Sequence, residues 1–143
     1  MTFSVDMWSV FIGGVVAMVV GALWYSPALF AKSWMKEVGM TDEKMKVAQA
    51  KGMGKTYFAS FLANLLLAYI LAHFVQIGVY ASGQPASFAL GAETGIWIWL
   101  GFIATSFLNM VFWEGKSWKL YFINAAHYLV VLALVGGILG MWM

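Results

Sequence analysis

Long apolar runs separated by short polar stretches dominate this chain. The runs extend approximately from Val5 to Tyr25, Tyr57 to Tyr80, Ala89 to Trp113 and Trp118 to Trp142. Each is long enough, as helix, to cross a hydrocarbon core of about 30 Å, which takes about 20 residues. None alternates apolar and polar positions as a barrel strand would, and an open strand edge in lipid leaves backbone groups unpaired. The pattern therefore predicts an all-α, integral membrane four-helix bundle with four transmembrane helices, a single domain covering residues 1–143. Tryptophan and tyrosine gather near the run ends, at Trp8, Trp24, Tyr25, Tyr57, Tyr80, Trp113, Trp118, Tyr121 and Trp142. That is the interfacial belt of spanning helices.

The connections differ in length. Pro27 disfavours helical geometry in the residue before it, so the first span should stop or kink at Trp24-Tyr25-Ser26-Pro27. The polar stretch from Ala31 to about Thr56 follows, with Gly39 as a stop and Thr41-Asp42-Glu43 as a cap and acidic first turn. It predicts one short amphipathic helix, about Thr41 to Lys51, on the cytoplasmic membrane surface. Ser82-Gly83-Gln84-Pro85 and Glu114-Gly115-Lys116-Ser117 form tight turns, making spans two and three, and three and four, antiparallel neighbours.

Composition agrees with lipid as the solvent. Of 143 residues, 63% are hydrophobic and 10% charged, with a mean hydropathy of +0.84. So small a soluble domain cannot hide that much apolar surface. All eight lysines (Lys32, Lys36, Lys44, Lys46, Lys51, Lys55, Lys116, Lys119) lie in or beside the first and third connections. The positive-inside rule makes that side cytoplasmic and puts both termini outside, with the inner membrane of a bacterium as the expected location. No basic residue precedes the first span, so it is expected to be retained rather than cleaved as a signal. Cysteine and arginine are absent; thiolate chemistry is excluded and nucleic acid is not an expected partner. No nucleotide loop, serine triad or paired histidine motif is present, so neither enzymatic activity nor a metal or other cofactor is expected.

Polar residues at membrane depth are the natural place to look for function. Counting helical rise from the lysine side puts Asn64, Asn109, Asn124 and His127 at comparable depths, roughly 6 to 10 Å in. Asn124 and His127 lie about 60° apart on their helix, and Thr94, Gly101, Thr105 and Asn109 form a stripe on span three. Asn64, Asn109, Asn124, His127 and Thr105 thus form a candidate intramembrane layer, either packing by interhelical hydrogen bonds of about 0.6 kcal/mol each or lining a polar pocket in which imidazole takes up a proton. His73 and Gln76, with Asp6 and Glu93, form a separate outer group. Helix packing is expected from small residues four apart: Gly13, Ala17 and Gly21 on span one, Gly91 and Gly95 on span three, Gly136 and Gly140 on span four. Gly136 lies about 180° from His127, so its face can meet a helix of this chain or of another subunit.

Two stretches, Trp24-Tyr25-Ser26-Pro27-Ala28-Leu29-Phe30-Ala31-Lys32-Ser33-Trp34 and Glu114-Gly115-Lys116-Ser117-Trp118-Lys119-Leu120-Tyr121-Phe122-Ile123-Asn124-Ala125, resemble the bacterial membrane-protein family catalogued as domain of unknown function 1761. The resemblance implies a small four-span protein with no assigned activity. Two functions then compete: a small homo-oligomeric transporter or channel using the polar layer, or a non-catalytic accessory subunit of a larger membrane complex. The expected partners are membrane lipid and either further copies of the chain or another membrane protein.

Overall fold

The computed structural model describes residues 4–143, and its regular elements are all helical among them. Helix α1 spans Met7–Trp24, α2 Ala31–Val38, α3 Asp42–Ala50, α4 Gly54–Ser82, α5 Phe88–Ile98, α6 Thr105–Phe112 and α7 Trp118–Met141. A π-helical segment, Trp99–Ala104, joins α5 to α6, so that Phe88–Phe112 is one rod. Four rods (α1, α4, α5 to α6, and α7) are long and apolar enough to cross a membrane.

Local chemistry accounts for the helix ends. Asp6 caps α1 by accepting from the Ser9 backbone N–H at 2.9 Å, and Ser87 and Ser117 cap α5 and α7 in the same manner. At the other end of α1 the Ser26 hydroxyl donates to the Leu23 carbonyl at 2.7 Å, satisfying one of the acceptors that Pro27 leaves open. The polar stretch holds two short helices where the sequence predicts one. Thr41 caps α3 as expected. Gly39, with φ +72°, ends the additional helix α2, whose strongly amphipathic sequence Ala-Lys-Ser-Trp-Met-Lys-Glu-Val is too short to register as a long apolar run.

The π-helical segment is also absent from the sequence reading. Its widened turns leave carbonyls open for other donors: the Thr105 hydroxyl bonds the Gly101 carbonyl at 2.7 Å, and the Tyr121 hydroxyl of α7 bonds that of Ala104 at 2.9 Å.

Helix α7 is the centre of the bundle, packing against α1, α4 and α5. Its tightest partner is α5. A Cβ at Gly91 would run into the Gly136 carbonyl, one at Gly95 into the Leu132 carbonyl, and one at Gly140 into the Ser87 carbonyl. The small residues of spans three and four therefore face each other within the chain, with backbone against backbone. The span-one series packs internally only at its start: Ala17 is buried, and a Cβ at Gly13 would lie 2.9 Å from Val135 and 3.2 Å from Ala68, whereas Gly21, expected to pack as well, borders a cleft because the group opposite it is a side chain 3.5 Å away. Val10, Ala68, Leu71, Ala72, Val75, Val131, Val135 and Leu139 complete the core.

The closure is uneven along the bundle. Every buried residue of α4 lies between Ala68 and Val75, whereas residues 54–60 are exposed on all sides. At 29 residues, α4 is about 43 Å long and outruns the hydrocarbon thickness. It touches the third span near its far end, where Gly78 abuts Thr94. Toward the lysine-bearing end it leans away from its neighbours, and two clefts open there.

A candidate binding site at the lysine-bearing end

The two connections that hold the lysines meet in space. Ser117, the cap of α7, donates its hydroxyl to a Glu37 carboxylate oxygen of α2 at 2.5 Å. This places a carboxylate against the positive end of the α7 dipole. Just inside, consecutive residues of α1 and α7 bond in register. The Trp24 indole donates to the Ile123 carbonyl at 3.0 Å, and the Tyr25 hydroxyl to the Asn124 side-chain oxygen at 2.8 Å. From the opposite side the Trp99 indole donates to the Ala125 carbonyl at 2.7 Å. Each helix carbonyl has a second lone pair free for such a donor. Three successive residues of α7 are thereby fixed by two other spans.

One turn further along α7, His127 sits among aromatic rings, its centroid 6.1 Å from Trp24, 5.2 Å from Tyr25 and 4.9 Å from Tyr128. Both of its ring nitrogens are buried and lack a hydrogen-bond partner within the protein. The missing side chain of Gly21 leaves room beside the ring: a Cβ there would stand 3.5 Å from Nε2. Gly21 and His127 both line the first cleft, about 680 Å³ in volume, between α1 and α4. Met18, Ser60 and Asn64 line it as well, the Asn64 amide donating to the Met18 sulfur at 3.2 Å, a weak acceptor.

A second cleft of about 790 Å³ adjoins the first and shares Tyr25, Pro27, Tyr57, Ser60 and Tyr128 with it. It lies beneath α2 and α3, with Asn124 in its wall.

The structure thus brings three of the five sequence-selected polar residues around adjoining clefts: Asn64 and His127 in the first, Asn124 in the second. The other two lie elsewhere. Asn109 and Thr105 are exposed and line neither cleft, because the π-helical segment shifts the phase that a uniform 100° per residue assumes; Thr105 spends its hydroxyl on its own helix. The outer group stays apart, the Gln76 amide donating to the Ser4 carbonyl at 2.7 Å and His73 pairing with the Tyr69 carbonyl at 2.9 Å. Sequence reasoning missed Tyr25 and Tyr128 as site residues by assigning Tyr25 to the interfacial belt. The signal available was that Tyr25 and Asn124 stand at similar depth on spans one and four.

Fold and site together define a four-span helical membrane protein whose polar cleft opens toward one end of the bundle. The family described as Protein of unknown function (DUF1761) matches residues 8–140, nearly the whole chain. The chain belongs to that family, and the two stretches that resemble it in sequence are the two that bond to each other here. No match was found among curated proteins or solved structures.

Proposed function

We propose that this protein is a small carrier that loads a planar, hydrogen-bonding amphiphile into the first cleft from the cytoplasmic side. The observation that supports this reading is His127, with two buried nitrogens and no internal partner for either. Burying such a group unpaired costs about 1–3 kcal/mol, which a ligand that satisfies it returns. A neutral imidazole offers one donor and one acceptor, and the surrounding Trp24, Tyr25 and Tyr128 rings favour a flat apolar body. A cleft lined mostly by apolar groups with a few converging polar ones is the usual form of a small-molecule site. The tight packing beyond Gly13 and Ala68 closes the far end. That favours a carrier that alternates between openings over an open channel.

The test uses 7-hydroxycoumarin, a fluorescent planar probe with one hydroxyl donor and one carbonyl acceptor. Saturable binding to the purified protein and uptake into proteoliposomes above the protein-free rate are expected, and His127→Leu should lose both. Uptake equal to that of empty vesicles, or unaltered by His127→Leu, would overturn the reading.

A further inference from the structure

The second cleft differs chemically from the first. Four of the ten methionines, Met35, Met45, Met53 and Met110, line it together with Trp34 and Phe107. They come from α2, α3, the start of α4 and α6, and are far apart in sequence. Methionine is unbranched and polarizable, suited to a flexible apolar partner of variable shape. The two helices over this cleft keep their lysines exposed, and α2 is strongly amphipathic. On α2 the exposed lysines Lys32 and Lys36 alternate with the half-buried Trp34 and Met35. On α3 only Met45 and Ala48 are half-buried, Lys44 and Lys46 are exposed, and the helix packs extensively against no other. Positive charge is in excess at this end, with eight lysines against Glu37, Asp42, Glu43 and Glu114. Among the described residues none of these lysines pairs with a carboxylate, while Glu37 is engaged by Ser117.

We propose that the second cleft is a binding site for an anionic glycerophospholipid, one acyl chain lying among the methionines and the phosphate resting on lysines that flank the lining residues in sequence, Lys32, Lys36, Lys44 and Lys46. An apolar chamber at headgroup depth with a cationic lip is complementary to that molecule at both ends. Bulk neutral lipid would meet only the apolar part. The proposal does not depend on transport through the first cleft.

The test is native mass spectrometry of the full chain in mild detergent, re-lipidated with equal phosphatidylglycerol and phosphatidylcholine of identical acyl chains. The expected result is one retained lipid per chain with at least tenfold preference for phosphatidylglycerol. Replacing Lys32, Lys36, Lys44 and Lys46 by Gln should reduce the preference below twofold. Filling the chamber with Met45→Trp and Met110→Trp should abolish retention although every lysine remains, and the milder Met45→Gln serves if the double variant elutes as aggregate. Equal retention of the two lipids by the unmodified protein would overturn the proposal. So would full retention of phosphatidylglycerol by the filled or Met45→Gln variant, since the lysines would then be acting as a charged surface without a chamber.

Discussion

The α5–α7 seam and the α1–α4 cleft are built from the same small-residue pattern and end in opposite states. Along the seam, Gly91 and Gly95 meet Gly136 and Gly140, and the two backbones touch. Along α1 the series begins at Gly13 against the Val135 and Ala68 side chains, already looser than the seam, and by Gly21 the facing group is the His127 imidazole of α7. A glycine repeat permits close approach without enforcing it; the opposing residue decides. Where that residue is also small the bundle seals, and where it is bulky and polar the missing side chain becomes space.

The comparison is most severely tested on the seam. Gly95→Leu should force α5 away from the Leu132 carbonyl and cost about 3 kcal/mol or more, read as loss of the monodisperse fraction after detergent extraction. An undamaged protein would mean that the two helices do not touch there. On the cleft side His127→Leu should do the reverse, raising stability by about 1–3 kcal/mol as two unpaired nitrogens are removed, while coumarin binding is lost. A fall in thermal stability of the unliganded protein would instead reveal a structural role for the ring. Smaller again, Trp99→Phe should cost about 1 kcal/mol by deleting the bond to the Ala125 carbonyl, visible as a modest drop in melting temperature in detergent. Least of all, Gly21→Ala should change stability by under about 0.5 kcal/mol, because its Cβ meets Nε2 at an ordinary 3.5 Å. A large loss there would show the cleft to be as tightly closed as the seam.

The spans were legible in the sequence because bilayer thickness imposes a length that few other structures need, and the ends of α1, of α4, of the α5 to α6 rod and of α7 fall within three residues of the predicted ones. The glycines of spans three and four were legible as packing positions, but Gly21 was not separable from them and no partner was evident: spacing along one helix says nothing of what stands opposite. Asn64, Asn124 and His127 could be placed by depth, since rise per residue is nearly constant. Phase is more fragile. A single π-helical segment at Trp99–Ala104 sufficed to separate Thr105 and Asn109 from the others. Helix α2 escaped notice because eight residues give an amphipathic pattern too little length to stand out, and the clustering of methionines depends on tertiary contacts between four elements.

The bonds to Ile123, Asn124 and Ala125 have a mechanical consequence. To turn or slide, α7 would have to break hydrogen bonds to Trp24, Tyr25 and Trp99 at once, so spans one, three and four make up a fixed frame on the lysine side. Helix α4 meets that frame from Asn64, bonded to Met18, to Gly78, which abuts Thr94, whereas residues 54–60 are exposed on all sides and should move as an arm beyond it. Spin labels at Ser60 and Ser33 should accordingly report a broad distance distribution, and labels at Ala22 and Phe122 a narrow one. Equal widths would mean that the frame has no moving arm.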